Sequence, residues 1–152
     1  MFTILLAILI YALIVVVAIL VYSAFLWLST KLLGFYDQSF GTAMRVTVQY
    51  VIYSAILSIV LPIPLGIILI FVMATLGPLA YAVIFRSIQL LVQVGVGVYL
   101  VNKGYDEGII KSFLAWLITT IIISVLLTIL YLILVVFINL QINLQDWMDS
   151  IY

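Results

Sequence analysis

The chain has 152 residues, 69% of them hydrophobic, and its five basic and five acidic side chains cancel to a net charge of zero. Soluble domains are about half apolar and a quarter charged, so this composition excludes a soluble core and indicates a protein solvated mainly by lipid. The absence of cysteine and histidine excludes disulfides, thiolate and imidazole catalysis and the usual zinc and haem ligands. No block of basic residues exists, so nucleic-acid binding is also excluded.

The first predicted element is a membrane-spanning helix over about residues 2–29. A span needs about 20 mainly apolar residues, and this run is longer than the roughly 7–15-residue apolar region of a cleavable signal peptide. A short polar connection, residues 32–41, follows and contains Gly34 and Asp37. Turn-forming and charged residues together predict a loop there.

The second predicted span begins near Thr42 and is interrupted at Pro62 and Pro64, which remove amide donors from a helix. Residues 65–76 are too few to cross a membrane alone. They extend the second span beyond a kink, form half of a re-entrant hairpin or contribute to a fifth span, and the sequence leaves all three open. The third span is predicted over residues 79–101.

The fourth predicted span covers residues 109–138, after a polar loop at 102–108. Residues 139–152 form an amphipathic C-terminal tail, predicted to lie at the membrane surface. Its apolar residues at helical spacing are Leu140, Leu144, Trp147, Met148 and Ile151. The predicted fold class is therefore all-α, a polytopic transmembrane helical bundle of four spans with a Pro-broken segment over residues 1–138, followed by this tail.

The basic residues predict the topology of the four spans. Lys31 and Arg45 flank the first loop, and Lys103 and Lys111 flank the last. Positive residues next to spans stay on the cytoplasmic side. The sequence therefore predicts that both loops face the cytoplasm and that both termini face outward.

Polar side chains within the spans are the candidate contact residues, because polar groups in a membrane are costly and tend to face protein. The candidates for lipid or partner contact are Arg86, Gln89 and Gln93 in the third span and Arg45 and Gln49 in the second. The candidates for helix packing, spaced at multiples of four residues, are Ser112, Thr120, Ser124 and Thr128. Arg86 either extends to the headgroups or meets a polar groove or another subunit.

No catalytic, cofactor-binding or metal-binding residue is predicted. Asp106 and Glu107 are adjacent carboxylates, but without histidine or further acids they do not complete a metal shell, and a solvated turn is the preferred interpretation. The sequence therefore predicts a protein that is not an enzyme and needs no cofactor.

Several short motifs resemble the prokaryotic form of the Yip domain, named for Ypt-interacting proteins. They are Ser39-Phe-Gly-Thr-Ala-Met-Arg45, Tyr50-Val-Ile-Tyr-Ser-Ala55, the break at Pro62-Ile-Pro64, and Lys111-Ser-Phe-Leu-Ala115. The pattern departs from the family at Ile56, where a proline usually follows the Tyr-Ser-Ala run. The resemblance implies a non-enzymatic organiser of membranes, and no small-GTPase contact maps onto this chain.

Three functions follow from these observations. The preferred one is a Yip-like protein that organises or scaffolds other membrane proteins. The alternatives are a small accessory subunit of a respiratory or transport complex and, last, a channel or carrier, which would need more intramembrane ionisable residues. The expected partners are membrane lipids and other membrane subunits or a second copy, and the expected location is a prokaryotic cell membrane.

Overall fold

The computed structural model describes residues 2–149, and within them the chain forms four helices. These are α1 (Phe2–Leu32), α2 (Phe40–Val60), α3 (Pro62–Tyr105) and α4 (Ile109–Asp149). Four helical stretches are long and apolar enough to cross a membrane: Ile4–Leu32, Phe40–Val60, Met73–Tyr105 and Ile109–Ile138. The all-helical, four-span fold predicted from the sequence is confirmed.

The loop between α1 and α2 is fixed by two helix caps. At the end of α1, the amide of Gly34 bonds Lys31 O at 3.2 Å and the amide of Phe35 bonds Thr30 O at 3.0 Å. This pattern requires a left-handed residue, and Gly34 has φ +64°. At the start of α2, the Ser39 hydroxyl accepts from the amide of Thr42. The loop is therefore confined to residues 33–39.

The Pro-broken segment continues α2. Leu61 between α2 and α3 keeps α-helical angles (φ −65°, ψ −37°), and the amide of Leu65 bonds Leu61 O at 3.2 Å. The continuous helix that starts in α2 ends at Gly77, within α3. The φ of 85° and ψ of 173° at this residue favour glycine. Beyond it the chain folds back. Gly66 lies next to the Tyr81 hydroxyl, although fifteen residues of straight helix would separate them by roughly 22 Å.

Of the three interpretations of residues 65–76, the structure therefore supports extension of the second span. Residues 62–76 form the first arm of α3 and residues 78–105 its second arm. The turn between the arms lies at Gly77.

The loop predicted at residues 102–108 is shorter than expected. Helix α3 runs to Tyr105, and Asp106 ends it in a left-handed conformation, with φ 52° and ψ 39°. Gly104 belongs to the helix and lies against α2, where an added Cβ would overlap the side chain of Val46. In the sequence, this glycine suggested a turn and therefore a longer loop. In the structure, it lies within the helix and permits close packing against α2.

The buried core lies at one end of the bundle. Each helix contacts its two neighbours in the order α1, α2, α3, α4 and back to α1. The cluster of buried hydrophobic side chains includes Leu26, Phe35, Val46, Val101, Tyr105 and Trp116. All of them are close in sequence to the two short loops, so we call this part the loop end. In contrast, no described side chain between residues 121 and 138 is buried, and we call the opposite part the open end.

Helix α4 continues past residue 138 to Asp149 without a break. The amphipathic tail therefore begins as a direct extension of the fourth span. The side chains on which the tail prediction depends, Trp147 and Met148 among them, and residues 150–152 lie outside the described residues.

Candidate functional site

The two loops contact each other at the loop end. The amide of Tyr36 donates a hydrogen bond of 2.8 Å to Oε1 of Glu107. Nζ of Lys111 donates to Oε2 of Glu107 at 3.3 Å and to the carbonyl of Gly34 at 3.5 Å. The structure therefore confirms that the two loops share one end of the bundle, while their cytoplasmic location stays a prediction.

These contacts favour the ionised form of Glu107. The hydrogen bond from the Tyr36 amide, followed by that from Lys111, lowers the pKa of the Glu107 carboxyl below its usual value. Adjacent Asp106 is exposed. The two neighbouring carboxylates thus lie in different environments: Glu107 links the two loops, whereas Asp106 is solvated. This structural role of Glu107 was not evident from the sequence.

A second polar cluster caps α2. Asp37 accepts hydrogen bonds from the Thr42 hydroxyl at 2.6 Å and from the Ser39 amide at 2.9 Å. These bonds lower the pKa of Asp37, and the nearby charge of Arg45 adds to the effect. Arg45 itself is exposed, as is Gln49 one turn further into α2. Of these two candidate contacts, Arg45 therefore belongs to the loop end, where its charge favours the ionised form of Asp37.

Two other cations of the loop end lie over aromatic rings. Nζ of Lys31 is 3.8 Å from the centroid of Trp27, and the indole N–H of Trp27 donates to Gln38 O at 2.8 Å. Nζ of Lys103 is 5.8 Å from the centroid of the Tyr99 ring. Cations paired with tryptophan and tyrosine are typical of the boundary between hydrocarbon and headgroups. The loop end therefore has the side chains of one membrane surface.

Arg86 lies far from these cations, in the second arm of α3. It precedes Lys103 by 17 residues, a helical rise of roughly 25 Å. Arg86 is exposed, and Gln89 and Gln93 on the same side of the helix are half-buried. None of the three has a hydrogen-bond or ionic partner among the described residues. We call Arg86, Gln89 and Gln93 the polar stripe.

The predicted Ser/Thr packing ladder follows the buried face of α4 only in part. Ser112 is buried and Thr120 is half-buried, whereas Ser124 and Thr128 are exposed. Four residues advance an α-helix by about 400°, so each step of four rotates the side chain by about 40°. Within this chain, only Ser112 and Thr120 therefore lie toward the buried face of α4, and packing of all four residues against protein stays a prediction. A contact of Ser124 or Thr128 with protein requires a partner outside this chain.

The hydroxyl that crosses between helices belongs to Thr119. Its Oγ1 donates to Ser29 Oγ at 2.9 Å and also lies 2.7 Å from Ala115 O, and both Thr119 and Ser29 are fully buried. Ser112 and Thr120 instead bond carbonyls of their own helix region, Gly108 O and Trp116 O. The strict spacing of four residues selected Thr120 as a candidate and did not select the neighbouring Thr119. The combined spacing Ser112, Ala115, Thr119 would have indicated the buried face.

Among the described residues, no group of three or more acidic side chains could hold a metal ion. In comparisons with known proteins, no family model, curated protein or solved structure matches this chain.

Proposed function

We propose that this chain is a non-enzymatic, Yip-like membrane protein that organises other membrane proteins, and that the polar stripe is a contact surface for them. The observation that carries this proposal is the position of the Gln93 amide. Gln93 precedes Lys103 by ten residues, a rise of about 15 Å. With the loop-end cations at one headgroup layer, the amide lies near the middle of a hydrocarbon core about 30 Å thick.

An amide at that depth needs a partner. It is too short to reach either headgroup layer, unlike an arginine, and hydrocarbon offers it no hydrogen bond. The described residues supply none for Gln93 or Gln89. Glutamine side chains bond across transmembrane helix interfaces, each bond contributing ~0.6–2 kcal/mol. A helix of another subunit or of a second copy satisfies this requirement, and Arg86 adds a charge about two turns from Gln93.

The distribution of burial supports the same function. The loop end packs within the chain, whereas the open end presents apolar surface on every helix, for example at Ile14, Phe71 and Leu132. The 30-residue stretch Ile109–Ile138 measures roughly 45 Å, longer than the hydrocarbon core. Such excess length favours tilt or association with other helices. A location in a prokaryotic cell membrane belongs to the same proposal.

The test is purification of the full chain in mild detergent, with measurement of its mass and its companions. We expect the wild-type chain to elute as an assembly and Gln93→Leu to weaken it, with Arg86→Leu having a similar effect. Gln49→Leu is the matched control, because its exposed amide lies about 6 Å along the helix from Arg45 and can be solvated near the headgroups. A wild-type monomer without companions, or equal loss in all three variants, would contradict the proposal.

The same experiment separates the alternatives. One companion in fixed stoichiometry would favour an accessory subunit of a larger complex. Ion or solute flux through a reconstituted, purely self-made oligomer would favour a channel or carrier.

A further inference from the structure

A groove runs along the outside of the bundle between α3 and α4 at the loop end. Its volume is about 440 Å³, within the ~300–1,000 Å³ range of ligand-binding pockets. Gly95, Val98 and Tyr99 line its α3 side, and Ile109 and Phe113 line its α4 side. Tyr99, Ile109 and Phe113 are exposed, so the groove opens outward, toward lipid.

The residues that line the groove on α3 extend from the headgroup level into the hydrocarbon layer. Asn102 lines one end, adjacent in sequence to Lys103 at the headgroup level. Gly95 lies eight residues before Lys103, a rise of about 12 Å into the hydrocarbon layer. Apart from Asn102 and the Tyr99 hydroxyl, the side chains along the groove are apolar. Its occupant must therefore be apolar over this depth.

The cation at the polar end of the groove is Lys103, which has no ion-pair partner among the described residues. Lys103 is exposed, and its Nζ lies 5.8 Å from the centroid of the Tyr99 ring. Among the described residues no carboxylate pairs with it, whereas Lys111 is already paired with Glu107. The amide of Asn102 adds a hydrogen-bond donor. A cation and an amide donor at the end of an apolar groove complement a phosphate attached to an acyl chain.

The glycine at position 95 is an independent indication. Glycine weakens a helix relative to alanine, so a buried or helical glycine usually permits close packing. Gly97 does so, because an added Cβ would overlap the Trp116 ring. A Cβ at residue 95 would meet no atom of the described chain within 4 Å. The space beside Gly95 therefore serves no packing need within the chain.

We propose that this groove, the α3–α4 groove, is a phospholipid site. The acyl chain lies along Gly95 and Val98, and the phosphate contacts Lys103 and Asn102. The proposal is independent of the polar stripe, which lies deeper in the membrane on α3, so the two can fail separately.

The test is native mass spectrometry of the full chain in mild detergent, titrated with phosphatidylglycerol or with diacylglycerol, which has the chains but no phosphate. We expect one retained phosphatidylglycerol per chain and weaker retention of diacylglycerol. Gly95→Leu places a side chain in the groove where the acyl chain would lie, and it should therefore weaken phosphatidylglycerol binding more than tenfold. Lys103→Gln should weaken it by about fivefold.

Matched controls test the position of the site. Gly41→Leu adds the same side chain at another open glycine, and Lys31→Gln removes a different loop-end cation; both should bind as the wild type does. Thermal unfolding verifies that each variant is folded, and Lys103→Gln remains informative if Gly95→Leu is not. Unchanged binding in Lys103→Gln, or equal retention of diacylglycerol, would overturn the phosphate contact. A change of oligomeric state in Gly95→Leu, with lipid still bound, would show that a second copy occupies the groove.

Discussion

Two glycines in α3, two residues apart, should respond to alanine in opposite ways. At Gly97 an added Cβ would come closer to three atoms of the Trp116 ring than van der Waals contact allows. Trp116 is only 9% exposed, so its ring cannot move aside freely, and overpacking of this kind costs about 1–3 kcal/mol. At Gly95 the added methyl meets no atom of the chain and should gain about 0.5–1 kcal/mol of helix stability.

The difference between the two variants isolates the steric cost, because the gain in helix stability is common to both. Gly97→Ala should therefore be about 1–3 kcal/mol less stable than Gly95→Ala. Reversible unfolding in mixed micelles, followed by circular dichroism, measures this difference. Trp116→Leu should restore part of the loss when combined with Gly97→Ala, because it removes the ring atoms that overlap. Equal stability of the two single variants would refute the packing argument.

Three further predictions concern the loop end. Single cysteines at Gln38 and Asp106 should be labelled from the same side of the membrane, and labelling from opposite sides would refute the four-span topology. Thr119→Val removes the bond to Ser29 and should cost about 0.6 kcal/mol, at most ~2, in micelle unfolding; an unchanged stability would mean that the bond contributes nothing. Because the pKa of Glu107 is lowered by folding, its stabilising effect is present above the usual carboxyl pKa and lost on acidification through its lowered value. Glu107→Gln should flatten that part of the pH profile of thermal unfolding, and a profile as steep as the wild type's would contradict this.

The sequence determined the number of spans and the grouping of the charged loops. Hydrocarbon supplies no hydrogen-bond partners, so an apolar run of about 20 residues must be helical whatever it packs against. The spacing of Lys31, Arg45, Lys103 and Lys111 along the chain then requires both loops to lie at one end in a four-span arrangement. The bond from Tyr36 to Glu107 shows them there. These inferences succeed because they depend on the solvent and on chain length.

Only the tertiary structure decided which glycines turn the chain and which bring helices together. Gly77 and Gly34 have positive φ and end helical segments, whereas Gly104 lies within a helix against Val46. In sequence all three are glycines near polar or proline residues. Their roles differ because backbone angle and neighbouring helix are set by the packed bundle.

The tertiary structure also decided which polar residues are satisfied. Each step of four residues along α4 rotates the side chain by about 40°, so sequence spacing locates a helix face only approximately. It could not show whether Thr119 or Thr120 bonds Ser29. For the polar stripe, spacing predicted a shared face, but only the structure shows that no described residue forms a hydrogen bond with Gln93. Helical periodicity is a local property of one segment, whereas a hydrogen bond between helices depends on the rotation and separation of two segments. Those two quantities are fixed by packing at the loop end, where Leu26, Val46 and Val101 are buried together.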